Sequence, residues 1–146
     1  MCKITRIHKQ IVDRLPERYN IPIKLYKTIT GMIVSEARDQ RCKYKELCSY
    51  YNRYLNKTKY MKTKYYNSKE DKIEKDSYKD IVAFAGNPIK IAIDNVDRRD
   101  DCSIAFLILH ELNHVVNKEN NEKKCDRFAA RWCRTLINEK IIRRTQ

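Results

Sequence analysis

Apolar residues near the amino terminus recur at every third or fourth position, which predicts an amphipathic helix over residues 3–15. The residues on its apolar face are Ile4, Ile7, Ile11 and Leu15. Pro16 follows directly and favours the end of the helix at that point. Residues 21–29 are β-branched and aromatic around a proline, so we expect a short edge strand or an extended segment there.

The clearest strand signal lies on both sides of Gly86-Asn87-Pro88, a tripeptide typical of a turn. Residues 81–85 and 89–94 are both rich in apolar side chains, and we expect them to form a hairpin. In the second run, isoleucines at alternate positions share one face, and this alternation predicts a strand that is buried on one side only. The other face of that strand carries Lys90, Ala92 and Asp94.

The segment between these elements gives weaker signals. Scattered apolar residues favour a helix from Ile33 to about Leu55. Residues 56–79 are polar and rich in lysine, and we expect a long loop or a frayed extension of the preceding helix there.

Two helices are predicted in the last third of the chain. Asp100, Asp101 and Ser103 precede a periodic apolar stretch, and acidic residues at that end complement the helix dipole, so the first helix should cover about residues 103–116. Asparagines follow at three of the next five positions, where they would end this helix and cap a second one over about residues 122–141.

These elements together predict an α+β fold in a single domain, residues 1–146, because one hydrophobic core commonly serves a chain of this length. Residues 1–79 form a basic front half of helices and loops. Residues 80–141 contain the strand hairpin and the two helices that follow it. We see no internal repeat.

Charge and composition narrow the function classes. The chain carries 32 Lys and Arg against 19 Asp and Glu, a net charge of +13, and its two glycines exclude glycine-rich phosphate loops. Eight basic residues and seven of the ten tyrosines fall within Arg41–Tyr66. This pattern could bind a nucleic-acid backbone and stack on its bases, or it could equally cover an acidic protein surface. No apolar run is long enough for a membrane span or a signal peptide, so we expect a cytoplasmic protein with reduced cysteines and no membrane partner.

The motif His110-Glu111-Leu112-Asn113-His114 is the strongest chemical signal in the chain. Side chains four residues apart share one face of a helix about 6 Å from each other, so both imidazoles can bind one metal ion. Zinc suits such a site because it accepts nitrogen and oxygen ligands tetrahedrally and leaves a position for water. Glu111 would act as the general base toward the metal-activated water.

A catalytic zinc site needs a third protein ligand, and the second helix offers one. Glu122 begins that helix, where its carboxylate can point back to the imidazoles. Asp126 lies one turn further on, and we expect it to hold one ligating imidazole by the other ring N–H. The residues alone leave Asp126, Glu119 and Cys125 open as alternative third ligands.

Residues 80–137 resemble the ImmA/IrrE-type HExxH metallopeptidases of the gluzincin group. In that family a strand precedes an HELxH helix, and the following helix carries a pattern like E-x-x-A-[ND]-x-F-A-A, similar to Glu122–Ala130. The chain departs from the family at Asn113, where glycine is usual, and at Cys125, where alanine is usual. Its basic front half contains no helix-turn-helix that we can identify.

The resemblance implies a minimal zincin-like domain, in which amino-terminal helices and a small sheet with antiparallel strands pack on the HExxH helix and a carboxy-terminal helix. It implies a Zn²⁺ cofactor bound by His110, His114 and Glu122. It places the catalytic base on Glu111 and the family's Asn/Asp position on Asp126.

The predicted function is therefore intracellular hydrolysis of a peptide bond in a protein or peptide substrate, for instance a DNA-associated protein. Strand 89–94 would offer its edge to an extended peptide. The candidates for stabilising the oxyanion are Tyr78, Arg127 and Arg131. Two alternatives stay open: a zinc-containing binding or inhibitor protein that cleaves nothing, and a nucleic-acid-binding module centred on Arg41–Tyr66.

Overall fold

The computed structural model describes residues 2–39, 63–76, 81–93 and 99–145. The helices within these ranges are α1 (Lys3–Arg14), α2 (Ile29–Asp39), α3 (Asp101–Val116) and α4 (Glu122–Asn138). The strands are β1 (Ile23–Tyr26), β2 (Thr63–Asn67), β3 (Lys72–Asp76), β4 (Ile81–Phe84) and β5 (Ile89–Ile93). A short 3-10 helix, Glu17–Tyr19, follows α1. The architecture is α+β, as the sequence predicted.

Strand β5 is the middle strand of a mixed three-stranded sheet. It runs parallel to β1, with Ile23 opposite Ile89, and antiparallel to β4, with Phe84 opposite Lys90. The second pairing confirms the predicted hairpin, and β1 confirms the predicted edge strand. The prediction that residues 89–94 offer an edge to a peptide was wrong, because β1 pairs with β5 on the side away from β4. Among the described strands of this sheet, the outer edges belong to β1 and β4.

Both faces of β5 are buried, which corrects the prediction of one-sided burial. Ile89 and Ile91 are fully buried on one face, and Lys90 is only 4% exposed on the other. Helix α2 packs on that second face, where Lys90 Nζ lies 2.8 Å from Glu36 Oε2 and also contacts Asp39. The strand does alternate between apolar and polar residues. Its polar face is buried because Lys90 forms ion pairs with residues of α2.

Strands β2 and β3 form a second, two-stranded antiparallel sheet where the sequence predicted a loop. Tyr66 anchors this hairpin: its side chain is buried in the core, and its hydroxyl donates to Asp71 in the turn. The prediction for residues 56–79 was therefore wrong over 63–76, and the remainder lies outside the described residues. The helix predicted from Ile33 begins earlier, at Ile29, and the described residues follow it to Asp39.

Helix α3 is the central element and packs against α1, α4 and β2. It begins after Asp100, whose carboxylate accepts a hydrogen bond from the Ser103 N–H at 2.8 Å, as expected of a helix cap. Helix α1 contributes three isoleucines to the same core, which confirms the amphipathic pattern. Helix α4 ends at Asn138, three residues before its predicted end. No described helix has both the length and the apolar character that a membrane span requires.

Candidate metal centre

Helix α3 presents two imidazoles side by side on its partly exposed face. His110 and His114 lie one turn apart, with ring centroids 4.7 Å from each other and Nε2 atoms 3.0 Å apart. Their side chains are 13% and 15% exposed. The other faces of α3 carry buried apolar residues such as Ile108 and Leu112, so core packing fixes the direction in which the two rings project.

A carboxylate from α4 completes the group. Asn121 caps α4 by accepting a hydrogen bond from the Lys124 N–H at 3.0 Å, so Glu122 is the first helical residue. Its Oε2 lies 2.8 Å from His110 Nε2, and its Oε1 lies 3.1 Å from His114 Nε2. One potential ligand atom from each of the three side chains lies within 4.8 Å of the other two.

The opposite nitrogen of each ring is held by a hydrogen bond. His110 Nδ1 lies 2.9 Å from Asp126 Oδ1, and His114 Nδ1 lies 2.6 Å from the main-chain carbonyl oxygen of Glu119. A carbonyl oxygen can only accept, so Nδ1 of His114 carries the proton. In the neutral imidazole, Nε2 then keeps its lone pair and faces Glu122.

The electrostatics around the imidazoles favour charge on His110 and Asp126. Burial alone would lower the pKa of His110, but the hydrogen bond to Asp126 and the nearby carboxylates raise it above its ordinary value. Burial alone would raise the pKa of Asp126, but hydrogen bonds from His110 and Lys64 lower it. Burial raises the pKa of Glu111 to about 7, although the charge of His110 opposes this shift.

These residues fit a zinc ion. Two imidazole nitrogens and one carboxylate are a donor set typical of catalytic zinc sites. Two nitrogens bound at about 2.0–2.1 Å to one tetrahedral ion lie roughly 3.3 Å apart, close to the separation of the Nε2 atoms of His110 and His114. Both rings have the outer hydrogen bond that usually orients a metal-ligating histidine.

The alternative third ligands have other contacts. Asp126 meets Nδ1 of His110, on the opposite side of the ring from Nε2. Cys125 is buried, and its Sγ accepts a hydrogen bond from Asn113 Nδ2 at 3.2 Å. Glu119 supplies its carbonyl oxygen to His114, and its carboxylate lies 3.5 Å from Lys124. The structure therefore brings Glu122, and none of these three, to the Nε2 atoms.

Two contributors to this centre carry no recognisable signal in the sequence. The Glu119 carbonyl belongs to the main chain, and no side-chain pattern identifies such an acceptor. Lys64 comes from β2, and its Nζ lies 2.8 Å from Asp126 Oδ2. The sequence placed Lys64 in a basic stretch for nucleic acid, where nothing distinguished it from its neighbours.

Of the three proposed oxyanion residues, the two that the structure describes are not at this centre. Arg127 and Arg131 line an open groove of about 480 Å³ together with Asn113, Asn117 and Phe128. At 100° per residue, these two arginines lie roughly 140° and 180° around α4 from Glu122, so they project from other faces of the helix. Tyr78 lies outside the described residues.

Only the end of the basic, tyrosine-rich stretch Arg41–Tyr66 is described. Its two tyrosines pack or form hydrogen bonds within the fold. Tyr65 donates to Glu74 Oε2 at 2.6 Å within the β2–β3 hairpin, and Tyr66 is buried. His8, the third histidine of the chain, is a half-buried residue of α1 whose Nε2 lies 2.7 Å from the Ile21 carbonyl oxygen.

Comparison with protein-family models, curated proteins and solved structures finds no match to this chain.

Proposed function

We propose that this chain is a zinc-dependent endopeptidase with a zincin-like arrangement of its helices. The observation that carries the proposal is the convergence of His110, His114 and Glu122 from two helices, with ligand atoms within 4.8 Å of one another. The resemblance of residues 80–137 to the ImmA/IrrE-type metallopeptidases supports the same function.

The three converging side chains would hold the ion, and Glu111 would move the proton. Bound zinc supplies a Lewis acid that polarises a carbonyl group and lowers the pKa of water. Glu111 follows His110 directly on α3, and it lies close enough to His110 and Glu122 for their charges to act on its pKa. Its carboxylate would accept a proton from the attacking water and return it to the leaving amine.

Strand β4 is our candidate for positioning an extended peptide. It pairs with β5 along one edge, and it packs beside α3, which carries Glu111. A peptide that added to the outer edge of β4 would form main-chain hydrogen bonds whatever its side chains are. We therefore expect the enzyme to prefer unfolded or extended segments over compact domains.

The decisive variant is Glu111→Gln, which removes the base but keeps the size of the side chain. We expect this variant still to bind one equivalent of zinc. Its rate of cleavage of a library of unstructured peptides, measured by mass spectrometry, should fall by about 10²- to 10⁴-fold. Glu17→Gln, at an exposed position in the 3-10 helix, is the matched control and should cleave normally.

Two results would contradict the proposal. Cleavage by Glu111→Gln at the unaltered rate would remove the mechanism. Alternatively, the unaltered protein could bind zinc and cleave nothing in the library, which would favour a zinc-containing binding protein instead.

A further inference from the structure

A lysine of the β2–β3 hairpin reaches the hydrogen-bond network of the candidate metal centre. Lys64 Nζ lies 2.8 Å from Asp126 Oδ2, and the other oxygen of the same carboxylate, Oδ1, lies 2.9 Å from His110 Nδ1. The ammonium group, the carboxylate and the imidazole thus form one continuous chain of contacts. Nε2 of the imidazole faces Glu122.

The carboxylate in the middle of this chain has little freedom. The Asp126 side chain is 7% exposed, and each of its two oxygens has a different charged or polar partner. The carboxylate is planar, so a partner that holds Oδ2 also sets the direction in which Oδ1 meets the imidazole. Without Lys64, a poorly hydrated carboxylate would keep only the His110 contact.

The hairpin that carries Lys64 is itself fixed to α4. Arg134 Nε lies 2.6 Å from Asp71 Oδ1 in the hairpin turn, and the Arg134 guanidinium stacks over the Tyr66 ring at 5.5 Å. Tyr66 is buried two residues after Lys64. Asp126 and Arg134 both belong to α4. The hairpin is therefore attached to this helix at two points, through Lys64 and through Asp71.

We propose that Lys64 is a positioning residue of the metal centre: through Asp126 it holds the His110 imidazole in the orientation that binds zinc. This inference rests on the zinc site proposed above. It gives Lys64 a role different from the phosphate contact that its basic, tyrosine-rich neighbourhood suggests. It also makes the β2–β3 hairpin a structural part of the centre, although the hairpin supplies no metal ligand.

The test compares zinc affinity, measured by competition with a chromogenic chelator, among four proteins. Loss of an outer partner of a metal ligand typically weakens binding about 10- to 100-fold. Lys64 acts one contact further out and its side chain is 40% exposed, so for Lys64→Met we expect about a tenfold loss. Lys64→Arg should restore most of the affinity. Lys69→Met, at an exposed position in the same hairpin, should bind as the unaltered protein does.

A double-mutant cycle separates this role from a general effect on folding. If Lys64 acts through Asp126, Lys64→Met should weaken zinc binding in the unaltered background and have little further effect in Asp126→Asn. Nuclear magnetic resonance of the metal-free protein adds a spectroscopic signature. The Nδ1 proton of His110 should exchange slowly with water in the unaltered protein and in Lys64→Arg, and faster in Lys64→Met.

Three outcomes overturn the inference, and they can be told apart. Equal zinc affinity in Lys64→Met and the unaltered protein, or an equal loss in the Asp126→Asn background, would remove the role of Lys64 and leave the zinc site intact. Failure of the unaltered protein to bind zinc would overturn the proposed function, and the role of Lys64 with it.

Discussion

Replacing Lys90 with methionine tests the buried ion cluster beneath the three-stranded sheet. The Lys90 side chain is 5% exposed on the middle strand, and Glu36 and Asp39 of α2 hold its ammonium group. Methionine keeps the length and the apolar stem of lysine but removes the charge. The carboxylates would then face an uncharged side chain.

The expected loss follows from the exposure of each partner. Removing one member of a buried ion pair costs about 3–5 kcal/mol, because the remaining charge is left poorly hydrated. The Asp39 side chain is 62% exposed and keeps its water, whereas that of Glu36 is 16% exposed. Of the two carboxylates, Glu36 is the less hydrated, so the loss of the ammonium group acts mainly on Glu36, and we expect the lower end of the range, about 3 kcal/mol.

A second substitution should reverse most of this loss. In Lys90→Met/Glu36→Leu the less exposed carboxylate is removed as well, and apolar groups replace both members of the pair, an exchange that is often neutral. We therefore expect the free energy of unfolding of the double variant to lie within about 1 kcal/mol of that of the unaltered protein. Lys24→Met is the matched control: Lys24 lies directly opposite Lys90 on β1 but is exposed, so its loss should change stability by less than about 0.5 kcal/mol.

Urea unfolding of the metal-free proteins at neutral pH measures all four stabilities, from the midpoint and a constant slope. Burial would lower the pKa of Lys90, but Asp39 and Glu36 raise it above 10.5, so the cluster stabilises the fold at neutral pH. That stabilisation should disappear only as the pH rises through the raised pKa. A double variant less stable than Lys90→Met alone would refute the reasoning.

The remaining predictions concern the proposed zinc site. Zinc at 100 times its dissociation constant should raise the free energy of unfolding by about 2.7 kcal/mol, and this increase should be absent from a protein with His110→Ala and His114→Ala; an equal increase in that protein would place the zinc elsewhere. Burial raises the pKa of Asp126, but His110 and Lys64 lower it overall below the ordinary value of 3.8. The ionised Asp126 carboxylate therefore stabilises the metal-free protein above that pH, and this stabilisation is lost as the pH falls through the lowered pKa. The free energy of unfolding of Asp126→Asn should consequently fall less steeply in acid than that of the unaltered protein. An equally steep loss, followed by circular dichroism, would contradict this.

Local sequence patterns predicted the elements whose stability depends on nearby residues. The isoleucine spacing of α1, the cap at Asp100 and the turn between β4 and β5 all act within a few positions, and the structure contains each of them. The same holds for the convergence of the two imidazoles, because the spacing of His110 and His114 is a property of any α-helix.

Predictions failed where distant contacts decide the structure. The residues of β2 and β3 around Lys64 and Lys72 are mostly polar, so their sequence carries little strand signal. The two strands are held in place by Tyr66, which packs into a core made by other elements. Lys90 was predicted to face solvent because its partners, Glu36 and Asp39, come from a helix about 50 residues earlier. A periodic pattern reports which side chains share a face, but it does not report what covers that face.

The three converging side chains differ greatly in their contact with solvent. Glu122 is 67% exposed on the first turn of its helix, whereas the imidazoles are largely enclosed and tied at Nδ1. The Glu122 side chain is therefore free to change its rotamer, whereas the imidazole rings of His110 and His114 are held in place. In the proposed zinc site, the ion would enter and leave past Glu122, and the rate of exchange would depend on how often the first turn of α4 frays.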